Sequence, residues 1–192
     1  RFQNSEKSPE KLLKKSDKEN LHLTIADLSL ELAQKKTNNH KNATAIALDI
    51  FDENQRKPQI QKADIVISML PAHLHIEIAK DCISYKKHLV TASYISPAMQ
   101  ELDDEAKKNN LVFMNEIGLD PGIDHMSAMK VLDEIRAKGG NIILFESFCG
   151  GLVAPESDTN LWNYKFTWNP RNVVLAGQGG VAKFIQEGTY KY

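Results

Sequence analysis

The run Asp64-Ile-Val-Ile-Ser-Met-Leu70, an almost unbroken apolar stretch stopped by Pro71, constrains this chain more than any other feature. A strand with no polar alternation has no face to give to water, and a parallel sheet covered on both sides is where such strands belong. Similar segments alternate with helical ones. His22–Ala26 is a short strand ending at Asp27, Leu28–Lys36 carries Leu28, Leu32 and Ala33 at helical spacing with Ser29 placed to cap, and Ala43–Leu48 is a strand ending at Asp49. Glu53–Lys62 is helix-compatible, His73–Tyr85 resumes a helical period, His88–Ala92 is a strand, Pro97–Asn109 a helix and Leu111–Met114 a strand. Pro9–Lys18 reads as a helix ahead of them all. Short connections and strict alternation predict an α/β fold built on a doubly wound parallel sheet.

After Asn115 the texture changes. Glu116–Asp124 is punctuated by glycine and proline and holds three carboxylates in nine residues. A long amphipathic helix, Ile123–Lys138, is closed by Gly139-Gly140, and Asn141–Cys149 reads as strand until Gly150-Gly151 breaks it. The domains expected are 1–118, a Rossmann-like nucleotide-binding domain, and 119–192, the start of a second α/β domain that binds substrate.

Charge excludes some partners. Lys and Arg number 24 against 25 Asp and Glu, so neither nucleic acid nor an anionic membrane is called for, and lysine clusters such as Lys11–Lys18 have acids interleaved. Apolar residues make up 42 %, yet no run approaches the roughly 20 residues of a membrane-spanning helix. Cys82 and Cys149 have no metal-type spacing and fit a reducing compartment, so a cytoplasmic location is expected. His73 and His75 lack an evident third ligand, and a surface position at a helix start is expected for His75.

Ligands of a doubly wound sheet bind beyond the carboxyl ends of its strands. Those ends are Asp27, Asp49, Ser68-Met69-Leu70-Pro71, Ala92–Ser96 and Asn115–Asp124. If His22–Ala26 is the second strand of a dinucleotide fold, Asp27 accepts hydrogen bonds from the adenosine ribose and repels a 2′-phosphate, favouring NAD over NADP. The alternative is that Asp27 simply caps the following helix. A G-x-G-x-x-G loop belongs about 20 residues upstream. Residues 1–20 contain no glycine, so either the chain starts after that loop or the fold never held a dinucleotide.

Four strings carry a family resemblance: Ala92-Ser-Tyr-Ile-Ser-Pro-Ala-Met-Gln-Glu-Leu-Asp103, Met114-Asn-Glu-Ile-Gly-Leu-Asp-Pro-Gly-Ile-Asp-His125, Ser147-Phe-Cys-Gly-Gly-Leu-Val-Ala-Pro-Glu156 and Asn163-Tyr-Lys-Phe-Thr-Trp168. They resemble the saccharopine reductases, the glutamate-forming saccharopine dehydrogenases. The resemblance implies a Rossmann domain followed by an α/β substrate domain with the active site between. It also implies the reaction, in lysine metabolism: 2-aminoadipate semialdehyde and glutamate condense to an imine, which hydride from NADPH reduces to saccharopine. Family habit thus favours NADP where Asp27 favours NAD.

Within the matching strings, Asp120 and Tyr94 are candidates for proton transfer and Cys149 for a lesser catalytic part. Glu116 and Asp124 share the acidic loop, and Asp124 is a candidate substrate contact. Gly150 and Gly151 leave room for substrate near the backbone. Arg171 and Lys165, beside Tyr164, Trp168 and Asn169, suit a substrate with several carboxylates, because the arginine fork takes a carboxylate bidentately. Each has a plainer reading as turn, cap or surface residue. The chain has Phe148 where relatives carry tyrosine, and Thr167-Trp-Asn-Pro-Arg171 where they are serine-rich. Two alternatives stay open: an imine reductase of the carboxynorspermidine or homospermidine type, and a nucleotide-binding module without catalysis. A small-molecule substrate and a homodimer are further expectations. The 192 residues by themselves are expected to have little or no activity, with the phosphate loop and half the substrate site missing.

Overall fold

The structure is a computed structural model that describes residues 8–150, 153–165, 170–171, 174, 181 and 183–192. The chain divides into two compact units, Ser5–Cys149 and Gly150–Tyr192.

The larger unit begins with helix α1 (Ser8–Glu19), followed by β1 (Leu23–Asp27), α2 (Leu30–Thr37), β2 (Ala43–Ala47) and α3 (Glu53–Lys62). Then come β3 (Ile65–Ser68), a 3₁₀ turn (Ala72–Leu74), α4 (His75–Ser84), β4 (His88–Thr91), α5 (Pro97–Gln100), α6 (Asp103–Lys108), β5 (Phe113–Met114) and α7 (Ile123–Ala137). Strand β1 pairs parallel with β2, from Leu23 opposite Ala43 to Asp27 opposite Ala47. A second ladder runs β3-β4-β5, also parallel throughout. Parallel strands need crossovers, and helices provide each one, which makes this a Rossmann-type α/β unit.

Local chemistry sets the ends of the elements. Ser29 accepts a hydrogen bond from Leu32 N–H and so caps α2, while Asn38 closes that helix in the left-handed conformation. Asp52 caps α3 through Asn54 N–H. The core lies where α4 crosses β4, on Ile78, Ala79, Cys82 and Leu89, joined by Ile60 and Met99. Burial pushes the Cys82 thiol up to about 12, so this cysteine is inert packing.

Several expectations need correction. The span Pro97–Asn109 is two short helices, because Ser96 caps the first and the chain turns at Glu101-Leu102 before α6 begins. Asn141–Cys149 has no ladder partner among the described residues and forms no strand. Its apolar alternation is the sequence requirement for a strand, but a strand exists only where a neighbour takes its backbone bonds. Strand β3 is covered on one face alone: Val66 packs on the core while Ile65 and Ile67 are more than half exposed. His75 is buried, not at the surface, since His75, Ile78, Ala79 and Cys82 form one inward stripe of α4.

The smaller unit contains a 3₁₀ turn (Pro155–Ser157) and an antiparallel hairpin of β6 (Phe184–Gln186) and β7 (Thr189–Lys191). Glu187 and Gly188 both have positive φ, as a two-residue hairpin turn of matching twist requires.

Candidate functional site

Two loops at the carboxyl ends of parallel strands are laced together. Thr91 ends β4, and its carbonyl accepts from Ile117 N–H at 3.1 Å; the Ser93 carbonyl accepts from Glu116 N–H at 3.1 Å. Glu116 Oε1 accepts from Ile95 N–H at 3.0 Å, which gives this carboxylate a loop-holding task. Above this lacing the Tyr94 phenol donates to Asp120 Oδ1 at 2.8 Å. The hydrogen bond to Asp120, then loss of water, push the Tyr94 phenol up to about 12, so it is a protonated donor at neutral pH.

The loop that carries Asp120 is folded on itself. Gly118 N–H donates to Pro121 O at 2.8 Å, and the Gly118 carbonyl accepts from Ile123 N–H at 3.0 Å. Asp124 Oδ1 accepts from Gly122 N–H at 2.9 Å and meets His125 Nδ1 at 2.8 Å. Partial burial raises its carboxyl, but the His125 and Gly122 N–H groups and the His125 ring outweigh that and hold it below the usual range. Asp124 is therefore an ionised residue spent largely on closing the loop and starting α7. Cys149 is exposed, and its thiol is raised by loss of water and then by the Asp120 carboxylate, which places the thiol beside the Tyr94–Asp120 pair. A largely apolar trough of about 640 Å³ runs along α7 past Leu119, Val131, Ile135 and Phe145, with Asp124 and Cys149 also on its wall.

At the other strand ends, Asp27 Oδ1 accepts from Ser29 N–H at 3.1 Å and its Oδ2 lies 3.6 Å from Lys36 Nζ. Asp27 thus holds the N–H of Ser29, the residue that caps α2, and keeps a partly exposed carboxylate edge. Asp49 Oδ1 accepts from Phe51 N–H at 2.9 Å. Ser68 ends β3 and turns its hydroxyl inward to His75, and Met69, Leu70 and Pro71 form the turn above it. The carboxylates at these strand ends are acceptors, the chemistry that could hold a ribose diol; the segment 8–27 contains no glycine for a phosphate-binding loop. Arg171, Lys165 and Gly150 lie in the smaller unit, and Gly151, Trp168 and Asn169 lie outside the described residues. The residue that sequence reasoning missed is Ser93. Its N–H donates to Thr91 Oγ1 at 3.2 Å, and a hydroxyl two residues ahead of a turn N–H was the available signal.

Comparison with known proteins decides the relationship. The family model "Saccharopine dehydrogenase NADP binding domain" matches residues 7–114. The chain belongs to the saccharopine dehydrogenase family. The model of that family's C-terminal domain matches residues 118–192. Among family members, saccharopine dehydrogenase [NADP(+), L-glutamate-forming] of Pyricularia oryzae is 46 % identical over 88 % of this chain and 37 % of its own length. The enzyme of the same name from Saccharomyces cerevisiae is 41 % identical over 88 % of this chain and 38 % of its own length. The alpha-aminoadipic semialdehyde synthase of Arabidopsis thaliana is 40 % identical over 90 % of this chain and 16 % of its own length. A solved structure, apo saccharopine dehydrogenase (L-Glu forming) from Saccharomyces cerevisiae, superposes with a TM-score of 0.80 at 38 % identity, covering 97 % of this chain and 41 % of that one. The chain therefore spans well under half the length of these relatives. Among the described residues, no helix is long and apolar enough to cross a membrane.

Proposed function

We propose that this chain is the nucleotide-binding part, with the opening of the substrate domain, of an NAD(P)-dependent oxidoreductase that interconverts saccharopine with glutamate and 2-aminoadipate semialdehyde. Residues 1–118 are assigned to the cofactor and 119–192 to substrate, a division supported by the separate family models that end at residue 114 and start at 118. The observation that carries the reading is the Tyr94–Asp120 hydrogen bond at the laced strand ends. A nicotinamide bound there supplies the hydride exchange with the carbon of the C–N bond. In the oxidative direction the Asp120 carboxylate takes the proton from the substrate's secondary nitrogen as the adjacent C–H leaves as hydride. Water then adds to the resulting imine carbon, and the C–N bond breaks to give glutamate and the aldehyde. The Tyr94 phenol keeps Asp120 oriented, and the neutral Cys149 thiol beside it is a second donor. Arg171 and Lys165 are assigned to the substrate carboxylates, with Gly150 and Gly151 giving backbone room. Two free thiols, one of them exposed, support work in a reducing compartment such as the cytoplasm.

The test is saccharopine-dependent reduction of NAD or NADP by the full-length protein, followed spectrophotometrically. Asp120→Asn is expected to lower kcat by on the order of 10²- to 10⁴-fold, the usual worth of a positioned base. Wild-type protein that binds nucleotide yet leaves saccharopine untouched would move the assignment to an imine reductase for amine substrates.

For the NAD(P) cofactor, Asp27 favours NAD, against the NADP binding domain model over residues 7–114 and the NADP(+) in the relatives' names. Asp27 ends β1 with a partly exposed carboxylate, which accepts from a ribose diol and repels a phosphate in its place. Lys36, the nearby cation, is already paired with that carboxylate. Asp27→Ser is expected to raise NADP(H) affinity about tenfold, which is roughly 1.4 kcal/mol of relieved repulsion. Fluorescence titration with NADH and NADPH reads it, and tighter NADPH binding by the wild-type protein sinks the NAD assignment.

A further inference from the structure

His75, the first residue of α4, is 3 % exposed and has no part in the chemistry above. Its two ring nitrogens reach in different directions. Nδ1 lies 2.8 Å from Ser68 Oγ at the end of β3, and Nε2 lies 2.8 Å from Ser93 Oγ, two residues past the end of β4. One imidazole therefore bridges the loops that leave two neighbouring strands. A neutral ring has one donor and one acceptor nitrogen, so one serine hydroxyl donates to it and the other receives from it. Burial, and then the charge of nearby His73, hold the imidazole below its ordinary pKa, which keeps this neutral pattern. Removing either partner leaves a buried polar atom unsatisfied, so the bridge is stiff.

What the bridge holds is next in the chain. Ser93 is fixed on three sides: N–H to Thr91 Oγ1, carbonyl to Glu116 N–H, and hydroxyl to His75 Nε2. Tyr94 follows it, exposed except for the bond from its phenol to Asp120. A long aromatic side chain on an open surface keeps one direction only if its backbone is held; of the two residues flanking Tyr94, Ile95 bonds to the Glu116 side chain near solvent and Ser93 to the buried His75.

We propose that His75 is a positioning residue: through Ser93 it fixes the loop that presents the Tyr94 phenol to Asp120, and through Ser68 it ties that loop to the Met69–Pro71 turn. The proposal rests on the function given above only in treating Tyr94 and Asp120 as the reacting end of the site. Its geometry stands without it.

The experiment uses the full-length protein with His75→Ala and with Ser93→Ala, a milder change that leaves the ring in the core. Titration of ¹³Cζ-labelled tyrosine by NMR follows the Tyr94 phenol, identified by the signal missing from Tyr94→Phe. In both variants the phenol is expected to titrate lower, back toward the ordinary value near 10, because its bond to Asp120 is loosened. With saccharopine as substrate, kcat is expected to fall about 100-fold, the scale of a small misplacement at a reacting centre, and in Ser93→Ala, which leaves the His75–Ser68 bond in place, nucleotide affinity is expected to stay unchanged. In a Tyr94→Phe background the same substitutions are expected to cost little more, because they act through the residue already removed. A folded Ser93→Ala protein with an unmoved Tyr94 titration overturns the proposal, and so does a kcat loss fully additive with Tyr94→Phe. If the phenol shifts while wild-type protein leaves saccharopine untouched, the positioning role stands and the assigned reaction falls.

Discussion

Gly122→Ala is expected to cost about 3 kcal/mol or more of stability and to lower turnover by on the order of 100-fold or more. Gly122 has φ 145 and ψ −89, a conformation that a residue with a side chain does not adopt without strain. Space forbids the methyl group as well. A Cβ there would stand 2.3 Å from Gly118 O, 2.6 Å from Gly118 N and 2.8 Å from Glu116 O, all of them backbone atoms that cannot rotate aside. Relief requires the Glu116–Asp124 loop to open, and that loop carries Asp120 to the Tyr94 phenol. The stability loss and the activity loss are therefore expected together. Gly139→Ala is the control: φ is also positive, at 75, but nothing lies within 4 Å of the added methyl. Strain alone should then cost about 1 kcal/mol and leave turnover intact. Thermal unfolding and saccharopine-dependent nucleotide reduction check both variants. A Gly122→Ala protein with wild-type stability and kcat would show that this loop is neither tight nor near the chemistry.

That such a loop holds the candidate site was legible in the residues, whereas its internal wiring was not. Turn-forming Gly118, Pro121 and Gly122 announce a tight loop, and three acids announce chemistry. The acids divide by geometry, which spacing does not encode: Glu116 holds Ile95 N–H, Asp124 holds Gly122 N–H, and Asp120 alone meets the phenol. Helix α3 keeps the bounds expected for it, Glu53–Lys62, and the structure shows Asp52 capping its start and Ala63 leaving it in extended conformation. Strand β3 was readable from its β-branched core, although the exposure of Ile65 and Ile67 depends on what covers the sheet, a tertiary property. The 141–149 segment failed for the same reason, since alternating apolar residues supply half of a strand and a partner's backbone supplies the rest. His75 was misplaced by weighing its type over its period. The stripe through Ile78, Ala79 and Cys82 puts it in the core whatever its polarity, and two serine hydroxyls make that tolerable.

Asp81→Ala is expected to destabilise the larger unit by about 3–5 kcal/mol, a fall in Tm on the order of 10 °C, without touching the Tyr94–Asp120 pair. Asp81 and Arg56 face each other with side chains 9 % and 6 % exposed, and Arg56 Nε donates to Asp81 Oδ2 at 2.6 Å. Arg56 Nη1 also donates to the Ile50 carbonyl, and Glu53 lies 4.0 Å from Nη2. One guanidinium thus joins α3, α4 and the segment leaving β2. Taking both charges out of water is costly, so the pair adds little net stability over a well-packed apolar pair. Losing one partner is another matter, because the buried guanidinium then keeps only the Ile50 carbonyl and a solvent-exposed carboxylate at 4.0 Å. Glu53 is 60 % exposed on its side chain and already pairs with Lys57, so solvent screening makes it a weak substitute for Asp81. The double variant Arg56→Met, Asp81→Leu is accordingly expected to recover most of the loss, whereas Asp81→Ala alone is not. Urea unfolding of the three proteins separates the cases. A single variant within about 1 kcal/mol of wild type, or a double variant no better than the single, would mean that water reaches Arg56 in solution and that α3 and α4 are joined by their apolar contacts instead.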